Sequence, residues 1–123
     1  MAKVLIIEDN ADNLMLIEFI LKRAGYQTLH AETGYQGVEM ARQGDLAFII
    51  LDIQLPDIDG TEVLKIIRAE ETGRPVPIIA MTSYAMSGDR ERLLANGCNG
   101  YIEKPIEPMT VMAQIQAVLE ELR

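Results

Sequence analysis

Two hydrophobic periods alternate along this chain, and few folds accept both. Short apolar runs of strand length stand at Lys3 to Ile7, Gln27 to Ala31, Phe48 to Leu51, Ile78 to Met81 and Gly100 to Ile102. Between and after them, apolar residues recur at helical spacing near Ala11 to Ala24, Gly34 to Arg42, Thr61 to Glu70, Gly88 to Ala95 and Pro108 to Leu122. Strand and helix signals in strict alternation are the mark of βαβ units, so the expected class is α/β with a parallel sheet. The first helix offers Leu14, Ile17, Ile20 and Leu21 to a core and stops at Gly25, a residue suited to a left-handed C-cap. Phe48-Ile49-Ile50-Leu51 is apolar on both faces, which places that strand centrally, between two helical layers. A length of 123 residues with 49% apolar side chains matches one domain over 1–123 with a single sheet.

An open parallel sheet binds ligands beyond the carboxyl ends of its strands. The residues there form a short list: Glu8 and Asp9 after the first strand, Asp52 after the third, Thr82 after the fourth, and Lys104 with Pro105 after the fifth. Three acids crowded together repel one another, and a hard divalent cation that prefers oxygen ligands relieves the repulsion, so Mg²⁺ is the natural occupant. Mg²⁺ keeps positions for phosphate oxygens, while an ammonium and a hydroxyl nearby suit the remaining oxygens of a phosphoryl group. Asp52 is the acid placed to act as nucleophile and take that group as an acyl phosphate.

The segments VLIIEDN, ILDIQLPDIDG, IIAMTSYAM and YIEKPI stand in the order and spacing of response-regulator receiver domains, and the whole chain resembles that family. The resemblance implies a flavodoxin-like (βα)5 three-layer sandwich with a five-stranded parallel sheet in the order 2-1-3-4-5. It implies phosphorylation at Asp52, Mg²⁺ held by Asp9 and Asp52 with the carbonyl of Gln54, and Glu8 assisting through water or as an outer ligand. Thr82 and Lys104 would hold phosphoryl oxygens, the Lys104-Pro105 peptide would be cis, and Thr82 and Tyr101 would form the switch. Tyr84, Met86, Tyr101 and Ile106 lie in the segments of the family's output face, formed by the fourth helix, fifth strand and fifth helix. Glu8 stands where many members carry aspartate. The family includes stand-alone cell-cycle regulators, phosphorelay carriers and receivers of hybrid kinases, all of which this chain resembles.

The partner so implied is a histidine kinase or a histidine phosphotransfer protein acting in trans, with a downstream protein target and a monomer or a weak phosphorylation-dependent homodimer. His30 is the only histidine and reads as a strand-end residue, so the phosphoryl donor is expected to come from elsewhere. A formal charge of -8 repels nucleic acid and anionic membranes. No apolar run approaches the roughly twenty residues of a membrane span, no signal peptide opens the chain, and the cytoplasm is the expected location. The lone Cys98 reads as a small packed residue within a turn, in a reducing compartment. The seven methionines read mostly as core filler, Met86 excepted.

Two other readings compete with this one. Asp57-Ile58-Asp59-Gly60-Thr61 matches the Asp-x-Asp-x-Thr signature of phosphatases that pass through an aspartyl phosphate. That signature needs its first acid at a strand end, whereas Pro56 cannot belong to a central strand. Asp59 reads better as a helix cap. A receiver-like module that binds constitutively, its acidic pocket vestigial, is the alternative outside chemistry. The receiver itself is expected to be no enzyme beyond phosphotransfer and dephosphorylation on its own aspartate.

Overall fold

The computed structural model describes residues 2–83 and 87–122, with only the backbone of residues 87 and 88. Five strands, β1 (Lys3–Ile7), β2 (Gln27–Ala31), β3 (Phe48–Asp52), β4 (Ile78–Thr82) and β5 (Gly100–Glu103), alternate with five helices. The helices are α1 (Ala11–Arg23), α2 (Gly34–Ala41), α3 (Gly60–Glu70), α4 (Ser87–Ala95) and α5 (Val111–Glu121). The strands form one sheet in the order β2-β1-β3-β4-β5, and every pairing is parallel.

Alternate residues of each strand serve opposite layers, because successive side chains point to opposite faces. Leu5, Ile7, Ile49, Leu51, Ile78 and Ala80 pack with Val38 of α2, Val63, Leu64 and Ile67 of α3, and Leu93 of α4. Val4, Ile6, Phe48, Ile50, Ile79 and Met81 pack with Ile17 and Leu21 of α1 and Val111 and Ile115 of α5. Every residue of β3 and β4 is buried, as a double-sided layer demands of its central strands.

Helix ends follow local chemistry. Asn10 caps α1 by accepting the Asn13 amide at 3.0 Å, and Gly25 leaves the helix at φ 95°. Asp59 caps α3, accepting the Thr61 amide and hydroxyl, each at 2.8 Å. The start of α3 lies directly on the end of β3. A Cβ on Gly60 would stand 2.5 Å from the Ile53 Cα and 2.8 Å from the Asp52 carbonyl, so only glycine permits the approach. At the opposite end of the sheet, Arg68 of α3 donates to the Gly97 and Val76 carbonyls, to Glu71 and to the Asn99 amide oxygen, at 2.8–3.0 Å.

Two expectations need correction. The last helix begins at Val111, not Pro108, because the amides of Thr110 and Val111 both donate to the Glu107 carbonyl in a tight turn that precedes it. Met81 is buried and Met40 and Met112 are half-buried, but Met15 and Met109 are 68% and 87% exposed and are not core filler. Cys98 is buried as expected, in the turn where Gly97 takes φ 112°.

Candidate functional site

Asp52, Thr82 and Glu103 are the last ladder residues of β3, β4 and β5, so the sheet holds the backbones of the first two directly. Asp52 is paired with Met81 in register, and Thr82 with Glu103. Asp52 is 1% exposed, Thr82 2% and Glu8 0%, the three buried polar residues among those described. Asp9 and Gln54 are exposed at its mouth. One carboxylate oxygen from each of Glu8, Asp9 and Asp52 lies within 4.8 Å of the others.

One cation reaches this group from the fifth strand's end. The Lys104 ammonium lies 2.9 Å from Asp52 Oδ1 and 3.7 Å from Glu8 Oε1. The Lys104 backbone is itself anchored, its amide donating to the Thr82 carbonyl at 2.9 Å, and the Lys104-Pro105 peptide is cis, as expected. Asp52 Oδ1 also accepts the Gln54 amide at 3.0 Å. Two donors thus hold one oxygen of the central acid.

Glu8 lacks that support. Among the described residues, its Oε2 accepts only a long 3.4 Å bond from the Asn10 amide, and its Oε1, though buried, has no hydrogen-bond partner. Burial, and after it the neighbouring Asp52 carboxylate, push the Glu8 carboxyl up to about 8, against the opposing pull of Lys104. A buried carboxylate oxygen without a donor, beside two more acids, is a donor set suited to a hard cation; the residues fit Mg²⁺.

The phosphatase-like motif is accounted for otherwise. Asp57 lies in the loop between β3 and α3, and its carboxylate accepts the Gly34 and Tyr35 amides at 2.8 and 2.9 Å, closing the first turn of α2. Desolvation works against its ionisation, but the amides of Tyr35, Gly34, Ile58 and Asp57 together outweigh it and hold the carboxyl below the usual range. Asp57 is a structural clamp, and Asp59 is the cap the sequence suggests.

On the other flank, Tyr101 packs on the α2–α3–α4 core layer, and the Arg90 guanidinium of α4 stands 5.2 Å from its ring centroid. Ile106, expected on the output face, is only 8% exposed and packs with Val111 and Ile115 in the α1–α5 layer. Tyr84 and Met86 lie outside the described residues. Sequence reasoning missed Arg90, whose guanidinium has no motif, and His30, whose Nε2 lies 3.0 Å from the Glu8 carbonyl oxygen.

Comparison with known proteins agrees with this geometry. The model of the response regulator receiver domain matches residues 4–116. The polar-differentiation response regulator DivK of Brucella ovis is 38% identical over 116 residues, 94% of each chain. The receiver domain of sensor histidine kinase PA1611 from Pseudomonas aeruginosa, solved with a magnesium ion coordinated in its active site cleft, is 38% identical. Its TM-score is 0.83, with 98% of this chain and 95% of that one covered. The receiver domain of Saccharomyces cerevisiae Ssk1, co-crystallised with the histidine phosphotransfer signalling protein Ypd1, is 30% identical with a TM-score of 0.84, covering 94% and 86%.

Proposed function

The chain belongs to the response regulator receiver family of two-component systems, and on that premise we propose that it is a Mg²⁺-dependent switch phosphorylated on Asp52. The observation that carries the proposal is the burial of Asp52 at the end of the central strand, tied to Lys104 and set against two further acids. With Oδ1 held by Lys104 and the Gln54 amide, Oδ2 is the oxygen assigned to attack. It forms the new P–O bond as the P–N bond of a partner phosphohistidine breaks, and the imidazole leaves with the electron pair. The donor is a histidine kinase or histidine phosphotransfer protein.

Glu8, Asp9, Asp52 and the Gln54 carbonyl are the groups that would hold Mg²⁺, which supplies charge neutralisation at the phosphoryl oxygens. Lys104 pairs with one phosphoryl oxygen and the Thr82 hydroxyl donates to another. Neutralising the pocket draws Thr82 inward, and Tyr101 repacks, changing the face of α4, β5 and α5 that a downstream protein reads. Water later displaces the aspartate from phosphorus and restores the carboxylate. The chain acts once per phosphoryl group on itself, so it is a substrate and switch more than an enzyme, working in the cytoplasm.

Incubation with acetyl phosphate and Mg²⁺, read by intact mass, tests the proposal. Wild type gains one phosphoryl group and Asp52→Ala gains none. Equal gain in both proteins removes Asp52 as acceptor, and no gain in either favours the constitutive binding module.

A further inference from the structure

Glu8 stands one residue past the end of β1, where the ladder to its neighbour stops. Its amide is still held, donating to the Ala31 carbonyl at 3.0 Å. Its carbonyl has passed the last β2 ladder partner, and the His30 ring supplies the donor instead, with Nε2 at 3.0 Å. A carbonyl oxygen only accepts, so Nε2 carries the proton in either charge state of the ring. The oxygen that His30 grips belongs to the peptide joining Glu8 to Asp9. Its plane sets the direction in which both side chains leave the backbone.

We infer that His30 is a positioning residue for the acidic pair: by fixing the Glu8-Asp9 peptide from the edge strand, it presets both carboxylates for a divalent cation. Two features support this over a mere finishing of the strand. Residue 8 is fixed on both sides, the Ile7-Glu8 peptide by Ala31 and the Glu8-Asp9 peptide by His30, immediately before the exposed Asp9, whose side chain has no anchor of its own among the described residues. Glu8 Oε1 is also buried without a hydrogen-bond donor among the described residues, so the pose leaves an open oxygen that a cation can take once the acid is ionised. Partners that orient a metal's ligands commonly matter to affinity almost as much as the ligands do.

The inference rests on the Mg²⁺ reading above, and titration with Mg²⁺ alone separates the two. Calorimetry on wild type, His30→Ala and His30→Gln is compared with urea unfolding of the same proteins in EDTA. His30→Ala is expected to bind Mg²⁺ about tenfold more weakly, the low end of the range for such orienting contacts, with a metal-free urea midpoint close to wild type. His30→Gln, whose amide N–H₂ donates to the same carbonyl, recovers most of the affinity. Labelling by acetyl phosphate should need more Mg²⁺ for half its maximal rate in His30→Ala, while the rate at saturating Mg²⁺ is kept. Wild-type affinity in His30→Ala overturns the inference and leaves the metal reading standing. A loss that tracks the urea midpoint and is not rescued by glutamine also overturns it. Absence of Mg²⁺ binding by wild type overturns both.

Discussion

Replacing Glu8 by glutamine should make the metal-free protein more stable at neutral pH. The Glu8 carboxyl titrates at about 8 in the folded chain against an ordinary value of 4.5. Between those values the unfolded chain has released the proton and the folded chain still holds it. An acid raised in this way leaves stability intact at low pH and erodes it as pH climbs, by ~1.4 kcal/mol for each pH unit spent in the window. From about pH 5 to about pH 7.5 the loss is about 3 kcal/mol, and above the folded value it stays constant. With a urea m-value of about 1.5 kcal/mol/M, the midpoint of unfolding falls by about 2 M across that range. The chain has no tryptophan, so far-ultraviolet circular dichroism in EDTA is the natural probe. Glu8→Gln keeps the shape, removes the titration, and should show a flat midpoint over the same range, above wild type at its upper end. Excess Mg²⁺ should restore wild type at about pH 7.5, because it binds the ionised acids of the folded state alone. Parallel pH profiles for wild type and Glu8→Gln would refute the reasoning, whatever their absolute stability.

Three further substitutions probe other parts of the structure. Lys104→Met leaves the buried Asp52 without its cation and should cost about 3 kcal/mol near neutral pH, read as a lower urea midpoint. Gly60→Ala drives a methyl into the backbone of residues 52 and 53 and should cost about 2 kcal/mol, with slower acetyl-phosphate labelling because Asp52 itself is displaced. Arg68→Ala breaks the hydrogen bonds to Gly97, Val76, Glu71 and Asn99 and should cost about 3 kcal/mol. Its labelling rate under native conditions should match wild type, since the contact lies at the far end of the sheet.

The strands were legible because burial on two faces leaves continuous apolar runs, and Phe48 to Leu51 carries this most openly. The site was legible because strand ends converge in a parallel sheet, so Asp52, Thr82 and Lys104 are neighbours whatever lies between them in sequence. Asp59 showed itself by its place before a helical stretch. Contacts made by side chains reaching across the fold left no such trace. His30 gripping a carbonyl on β1, Arg90 over Tyr101 and Asp57 on the start of α2 join residues that no period or motif connects. Ile106 illustrates the converse. The family resemblance put its segment on the output face, yet its side chain turns into the layer beneath α5, a matter of local backbone direction that spacing does not encode. Met15 and Met109 erred in the same way, since helical spacing shows that a face exists and not which residues border it.

The clamp made by Asp57 turns the loop after β3 into a span fastened at both ends. One end is the Asp52 carboxylate on the Gln54 amide, and the other is the Asp57 carboxylate on Gly34 and Tyr35. Amides in the first turn of a helix have no intrahelical acceptor and ordinarily exchange with solvent quickly. Those of Gly34 and Tyr35, bonded to Asp57, are expected to exchange slowly while the loop stays fastened. Their exchange rates are therefore a built-in gauge of whether the acceptor loop holds its place.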